Sequence, residues 1–253
     1  ALIIFSLILW QCKNKKESID GIWRAEVPTA IGLIPFNLAF ETINDSIHVY
    51  AINAYEKLEL DQAFFKDDSL HITMEIFDAK IVARVSDGKM NGLYTKKLGS
   101  LEDRTGVFTA KKGESFRFVP FAKTALHNVS GKWKAVFTEP EETTYEAVGV
   151  FEQNGNKVTG TFLTNLGDYR YLEGNVDGDS LKLSCFDGTH IFLFKALIKD
   201  DQLVGGGFTS SLLYQESWHA VKDENASLPN ADELTFIKEG YDGIEFSFIN
   251  TKG

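Results

Sequence analysis

The sequence predicts an all-β chain: two tandem antiparallel modules of about eight strands each, either β-barrels or β-sandwiches. Three observations predict it. The 253 residues include 20 Phe but only 2 Met and 5 Pro, and aromatic and β-branched enrichment favours sheet over helix. Short runs of alternating apolar and polar residues are separated by Asn, Asp and Gly turn signals, and no longer stretch keeps an apolar period of 3.6. Finally, the pattern repeats. Gly21-Ile22-Trp23-Arg24-Ala25 is answered by Gly131-Lys132-Trp133-Lys134-Ala135. Asp68-Ser69-Leu70, Phe77-Asp78, Lys89-Met90-Asn91-Gly92 and Phe108-Thr109-Ala110 are answered in the same order by Asp179-Ser180-Leu181, Phe186-Asp187, Gln202-Leu203-Val204-Gly205 and Trp218-His219-Ala220. All five offsets lie between 109 and 113 positions, which argues for an internal duplication.

The second copy is the clearer one. Residues 132–138 alternate, with Trp133, Ala135 and Phe137 on one face. Strands are expected at 145–153 and 157–164, joined by Asn154-Gly155-Asn156. Asn-Gly between alternating runs is a strong hairpin signal, because both central positions need positive φ. Strands at 169–176, 180–186, 190–199, 202–209 and 216–222 complete the copy, with turns at Asp177-Gly178-Asp179 and Asp200-Asp201. The first copy is read as 22–28, 34–42, 46–54, 57–60, 69–77, 80–85, 90–95 and 104–111. Eight consecutive antiparallel strands either roll into a barrel or pack as two sheets. A Gly-x-Trp opening each copy resembles the first strand of lipocalin-like barrels and favours the barrel. The resulting organisation is a partial signal at 1–12, a first module at 19–112, a linker at 113–128, a second module at 129–222 and a tail at 223–253. Phe116, Phe118 and Phe121 alternate loosely in the linker, as in a docked strap.

The formal net charge is -10. An acidic surface repels phosphate backbones, so no nucleic-acid partner is expected. The apolar run Ala-Leu-Ile-Ile-Phe-Ser-Leu-Ile-Leu-Trp precedes Gln11 and Cys12. It is shorter than the roughly 20 residues that span a bilayer as a helix and fits the apolar core of a secretory signal. Leu9 three residues before Cys12 resembles a bacterial lipoprotein signal, in which the Cys is lipidated; an uncleaved apolar anchor or a buried first strand are the alternatives. Lipidation implies a membrane partner through acyl chains and a place in the cell envelope, facing the periplasm.

Signals for catalysis are sparse. His48, His71, His127, His190 and His219 have no metal-ligand spacing, and no Cys-x-x-Cys, Gly-x-Ser-x-Gly or Walker loop occurs. No cofactor and no catalytic residue is assigned. Gly205-Gly206-Gly207 lies mid-strand, where close backbone packing or a barrel bend explains it. Cys185 and His190 flank Asp187-Gly188, yet Cys is commonly a buried, inert residue. Asp168-Tyr169-Arg170-Tyr171 sets an Arg between two aromatic rings, which at a barrel mouth can grip a carboxylate or stack on a ring. Tyr169, Arg170, Tyr171, Asp187 and His190 are therefore the candidate contacts for a ligand or partner.

The ending Gly240-Tyr241-Asp242-Gly243-Ile244-Glu245-Phe246-Ser247-Phe248-Ile249-Asn250-Thr251-Lys252-Gly253 resembles the entry of TlpA-type and redoxin-type thioredoxin-fold domains. Residues 129–138, 152–174, 179–194 and 224–248 are similar to the N-terminal region of envelope lipoproteins of that family. The resemblance implies the support region of a thiol–disulfide oxidoreductase, with a thioredoxin-like domain or redox partner beyond Gly253. The family's Cys-x-x-Cys is absent here, so its chemistry falls on no residue of this chain. Two lone cysteines, one of them lipidated, do not cycle a disulfide within one chain. The expectation is thus a non-catalytic, lipid-anchored module that positions a redox domain or binds its partners. The alternative is a lipocalin-like carrier of a small apolar ligand.

Overall fold

The computed structural model describes residues 18–99, 101–230 and 247. The strands of the first half are β1 (Gly21–Thr29), β2 (Gly32–Ile43), β3 (Ser46–Asn53), β4 (Glu56–Glu59), β5 (Gln62–Lys66), β6 (Ser69–Met74), β7 (Ala79–Ser86), β8 (Lys89–Leu98) and β9 (Leu101–Lys112). Those of the second are β10 (Gly131–Thr138), β11 (Thr144–Asn154), β12 (Lys157–Thr164), β13 (Gly167–Asp168), β14 (Leu172–Asp177), β15 (Ser180–Phe186), β16 (Ile191–Lys199), β17 (Gln202–Thr209) and β18 (Glu216–Lys222).

Each half is one antiparallel sheet closed on itself. The first runs β2-β1-β9-β8-β7-β6-β5-β3 and returns through β2–β3; the second runs β11-β10-β18-β17-β16-β15-β14-β12 and returns through β11–β12. Both are eight-stranded barrels, and β4 and β13 are short flaps paired outside the ring to β3 and β12. Closure removes the free edges that a sandwich would leave.

The two barrels repeat each other in register. Trp23 lies opposite Lys112 and Ala25 opposite Ala110; Trp133 lies opposite Lys222 and Ala135 opposite Ala220. Each Trp indole N–H donates to the carbonyl four residues upstream, Ile19 at 2.7 Å and Val129 at 2.8 Å. Each ring also lies beneath a Lys ammonium, Lys112 or Lys222. A buried indole must place its N–H, and the residue two positions before each first strand supplies the acceptor.

Alternation builds the interiors. Trp23, Ala25 and Val27 of β1 and Trp133, Ala135 and Phe137 of β10 are buried while their neighbours are not. The second interior is filled with rings: Phe137 packs on Phe162, Phe194, Phe208 and Trp218 with centroids 5.3–6.1 Å apart. The glycine run bends its strand. Gly205 has φ +59° at a register shift in β17, and a Cβ on Gly206 would stand 2.2 Å from the Trp218 carbonyl oxygen.

Strand limits differ from expectation in several places, among them a longer β8–β9 hairpin and the added flap β13. The strand expected at 57–60 is the flap β4 (Glu56–Glu59), and the ring position belongs to β5, which the unbroken Ala63-Phe64-Phe65 concealed. The expected strand at 69–77 stops at Met74, where a 3₁₀ turn (Glu75–Phe77) ends with Asp78 at φ 49°. The strand expected from Tyr169 starts at Leu172, because Arg170 has φ 56°. Cys12 and the TlpA-like ending, Ser247 apart, lie outside the described residues.

The barrels are joined end to side. Residues 34–40 of β2 and 183–186 of β15 are buried without alternation, as expected of strands covered on both faces. The ring of Phe186 belongs to the core of the first barrel, together with Ile191, Leu193 and Leu212. It stacks on Phe36 at 4.1 Å and meets Tyr94 edge-on at 6.1 Å. Phe186→Ala should cost about 3–5 kcal/mol. Hydrogen exchange should rise more in β2 and β8 of the first barrel than in β10–β12 of the second.

Candidate functional site

The candidate site is the junction itself. Asn53, at the end of β3 and wholly buried, reads the Phe186 backbone in both directions. Its Nδ2 donates to the Phe186 carbonyl at 2.8 Å and its Oδ1 accepts from the Phe186 N–H at 3.1 Å. Ser184 Oγ donates to the Pro35 carbonyl at 2.6 Å, which also accepts from Arg117 Nη1 at 3.1 Å. Arg117 is buried in the strap between the barrels. Its Nη2 donates to the Ile52 carbonyl, and its Nε lies 3.9 Å from Glu173 Oε2. Glu173 in turn accepts from the Ala54 N–H at 2.9 Å and pairs with Lys157 at 3.0 Å. The strap is held by side chains that imitate a strand: Asn175 Oδ1 accepts from the Phe118 and Val119 N–H groups, each at 3.2 Å.

Three of the residues singled out from the sequence meet here. The turn after Phe186 places Asp187 with its carboxylate facing inward. Asp187 Oδ1 accepts from the Thr189 N–H at 3.0 Å and the His190 N–H at 2.7 Å, and Oδ2 lies 2.9 Å from His190 Nδ1. Arg170 Nε lies 3.9 Å from the same carboxylate, and Arg170 Nη2 donates to Glu56 of the first barrel. Burial alone would raise the Asp187 pKa, but the bonds from His190 and Thr189 outweigh it and hold the carboxyl below the usual carboxylate range. The imidazole of His190 is half exposed and stacks on Phe192 at 4.9 Å. No hydroxyl or thiol among the described residues hydrogen-bonds its other ring nitrogen.

The remaining two part company. Tyr169 turns into the mouth of the second barrel, 5.0–5.2 Å from Phe192, Phe194 and Phe208. Its hydroxyl lies 2.8 Å from that of Tyr145, which donates to Glu216 Oε2 at 2.7 Å; Tyr214 donates to Glu216 Oε1 at 2.6 Å. Burial, then pairing with Tyr169 and Glu216, pushes the Tyr145 pKa well above its ordinary value. Tyr145, Tyr169, Phe192 and Glu216 line a cleft of about 570 Å³ at the mouth. Tyr171 instead lies half exposed beside Tyr55 in a separate groove between the barrels. Asn53, Arg117, Glu56, Glu173, Tyr145 and Glu216 escape a reading of motifs, because each acquires its role from a residue distant in sequence.

Cys185 is a free, buried thiol in the second core. Burial pushes its pKa up to about 12, so the reactive thiolate is scarce at neutral pH. No group of three or more His, Cys, Asp or Glu suited to a metal ion occurs among the described residues.

A carboxyl whose folded pKa is depressed contributes stability above its unfolded pKa, and that contribution is lost as pH falls through the folded value. Asp187→Asn should therefore cost about 1–3 kcal/mol at pH 7. The difference from the parent should shrink below roughly pH 4. Denaturant midpoints across that range measure it, and a pH-independent difference would contradict the assignment.

No protein-family model matches the chain, and no curated protein matches it. Among solved structures, it is similar to a protein of unknown function from the DUF3598 family of Nostoc punctiforme. The two are 10% identical, and the match covers 80% of this chain and 94% of that one with a TM-score of 0.27. At that score the likeness carries no argument, and the fold rests on the strand pairings above.

Proposed function

We propose that the chain is a non-catalytic scaffold of a cell-envelope lipoprotein, tethered through Cys12. In this reading it holds a TlpA-like thiol–disulfide oxidoreductase domain, or that domain's partner, at a fixed place. The observation that carries the scaffold reading is the interlock: Phe186 of one barrel sits in the core of the other, and Asn53 bonds both of its backbone groups. Barrels joined through a shared core suit a spacer. The buried Cys185 thiol supports assigning the redox chemistry to a different domain.

A carrier with an apolar molecule on a barrel axis is the weaker reading. The rings of Phe137, Phe162, Phe194, Phe208 and Trp218 occupy that axis in the second barrel.

Three measurements test the proposal. An aromatic disulfide reagent should leave Cys185 unlabelled in the native protein and label it fully in denaturant; labelling at the rate of a free thiol would sink the inert-thiol argument. In cells expressing the whole gene, Cys12→Ser should abolish incorporation of labelled palmitate and release the protein from membranes. Reading the coding sequence past the codon for Gly253 should reveal a Cys-x-x-Cys, in the same frame or in an adjacent gene. Its absence from both would overturn the redox context while leaving the scaffold untouched.

A further inference from the structure

A second cleft, of about 520 Å³, opens where the barrels meet on the side of His190. The first barrel contributes Tyr94, Lys96 and Arg104; the second contributes residues 189–191, 210–212 and Tyr214. Its charge is the reverse of the chain's. In a protein of net charge -10, this lining holds Lys96, Arg104 and His190 and, among the described residues, no Asp or Glu. Two carboxylates bonded to residues of this lining are already engaged: Asp187 by His190, and Glu216 by Tyr214 and Tyr145.

The two cations are forced together. Lys96 and Arg104 are direct partners across the β8–β9 pairing, and like charges directly opposite on neighbouring strands destabilise a sheet. Lys96 Nζ donates to Phe77 O and Thr189 Oγ1, both uncharged acceptors. The Arg104 guanidinium has no hydrogen-bond or ion-pair partner among the described residues. The repulsion is therefore unrelieved within the described chain, and an anion between the two would relieve it. Beside them, Leu212, Ile191 and Tyr94 are all buried, the Tyr94 hydroxyl donating to the Thr189 carbonyl at 3.1 Å. A charged end and an apolar wall share one cleft.

The geometry points to a binding site for a small amphiphilic carboxylate. Its head sits between Lys96 and Arg104, where a guanidinium can hold it in two-point fashion, and its short hydrocarbon body lies along Ile191, Leu212 and Tyr94. Ser210 and Ser211 supply hydroxyls at the rim. Because both barrels contribute to the lining, the site exists only in the joined pair, and domain interfaces are favoured places for such clefts.

Octanoate is the probe, titrated calorimetrically into the full chain, with octanol, octylamine and inorganic phosphate as comparisons. Octanoate should bind saturably at one site, and octanol and octylamine should bind at least about tenfold more weakly. Phosphate should also be weaker, because it lacks the body that packs on the apolar wall. Arg104→Gln should weaken octanoate about tenfold and leave the melting temperature of the unliganded protein unchanged or raised, since it removes a repulsion and no bond. A merely structural Arg104 would lower that temperature and leave octanoate affinity alone. Lys96→Gln should weaken octanoate as well. The proposal is overturned by no saturable octanoate binding, by equal affinity in the parent and Arg104→Gln, or by phosphate binding as tightly as octanoate.

Discussion

The architecture depends on one contact: the ring of Phe186, carried by the second barrel, completes the core of the first. An eight-stranded barrel has two ends, and each end is a place where apolar interior meets water. The first barrel closes one of its ends with a residue it does not own. Around that ring the backbone is fixed by Asn53, which donates to and accepts from the same residue. Apolar burial supplies the driving force, being non-directional. The amide decides which way the second barrel faces, because a rotated partner would leave a buried donor and acceptor unpaired, at about 1–3 kcal/mol each.

The surrounding charges follow from that placement. Burying Arg117 carries a desolvation penalty, which the carbonyls of Pro35 and Ile52 and the nearby carboxylate of Glu173 offset. These partners come from the first barrel and the second, so the guanidinium is satisfied only when both are in place. Arg170 and Glu56 make the same kind of bridge farther out. The strap thus acts as a third element of the junction, and its polar side chains make docking specific in a way that its three phenylalanines alone would not.

Much of this was legible in the sequence, for stated reasons. The duplication, the barrel class and most strands follow from alternation and turn chemistry, both of which are local. Trp23 and Trp133 announced themselves as equivalent and are equivalent down to their hydrogen bonds. The junction was less legible because it is made by departures from alternation. Ile34-Pro35-Phe36-Asn37-Leu38 and Leu183-Ser184-Cys185-Phe186 each break the period of two. A break of that kind says a strand is covered on both faces without saying by what. Asp187, Arg170 and His190 were found as residues out of place on a strand, but their grouping required knowing that Glu56 lies across from them. Nothing near Arg117 in sequence marks it for burial.

The contact at Phe186 joins unlike surfaces: the flank of one copy enters the end of the other. Head-to-tail joints between equivalent units have no built-in stop, and a repeat that docks this way can in principle go on adding copies. Here the second copy has lost the socket. By register, the place of Ile34 is taken by Tyr145, and that of Gly106 by Glu216. An incoming ring would meet hydroxyls and a carboxylate instead of an apolar hollow. Phe77, matched to Phe186 in the sequence repeat, lies instead in a 3₁₀ turn and is exposed. A polar ring at one mouth thereby makes the two barrel ends unlike: the first accepts an apolar ring, and the second presents hydroxyls and a carboxylate instead.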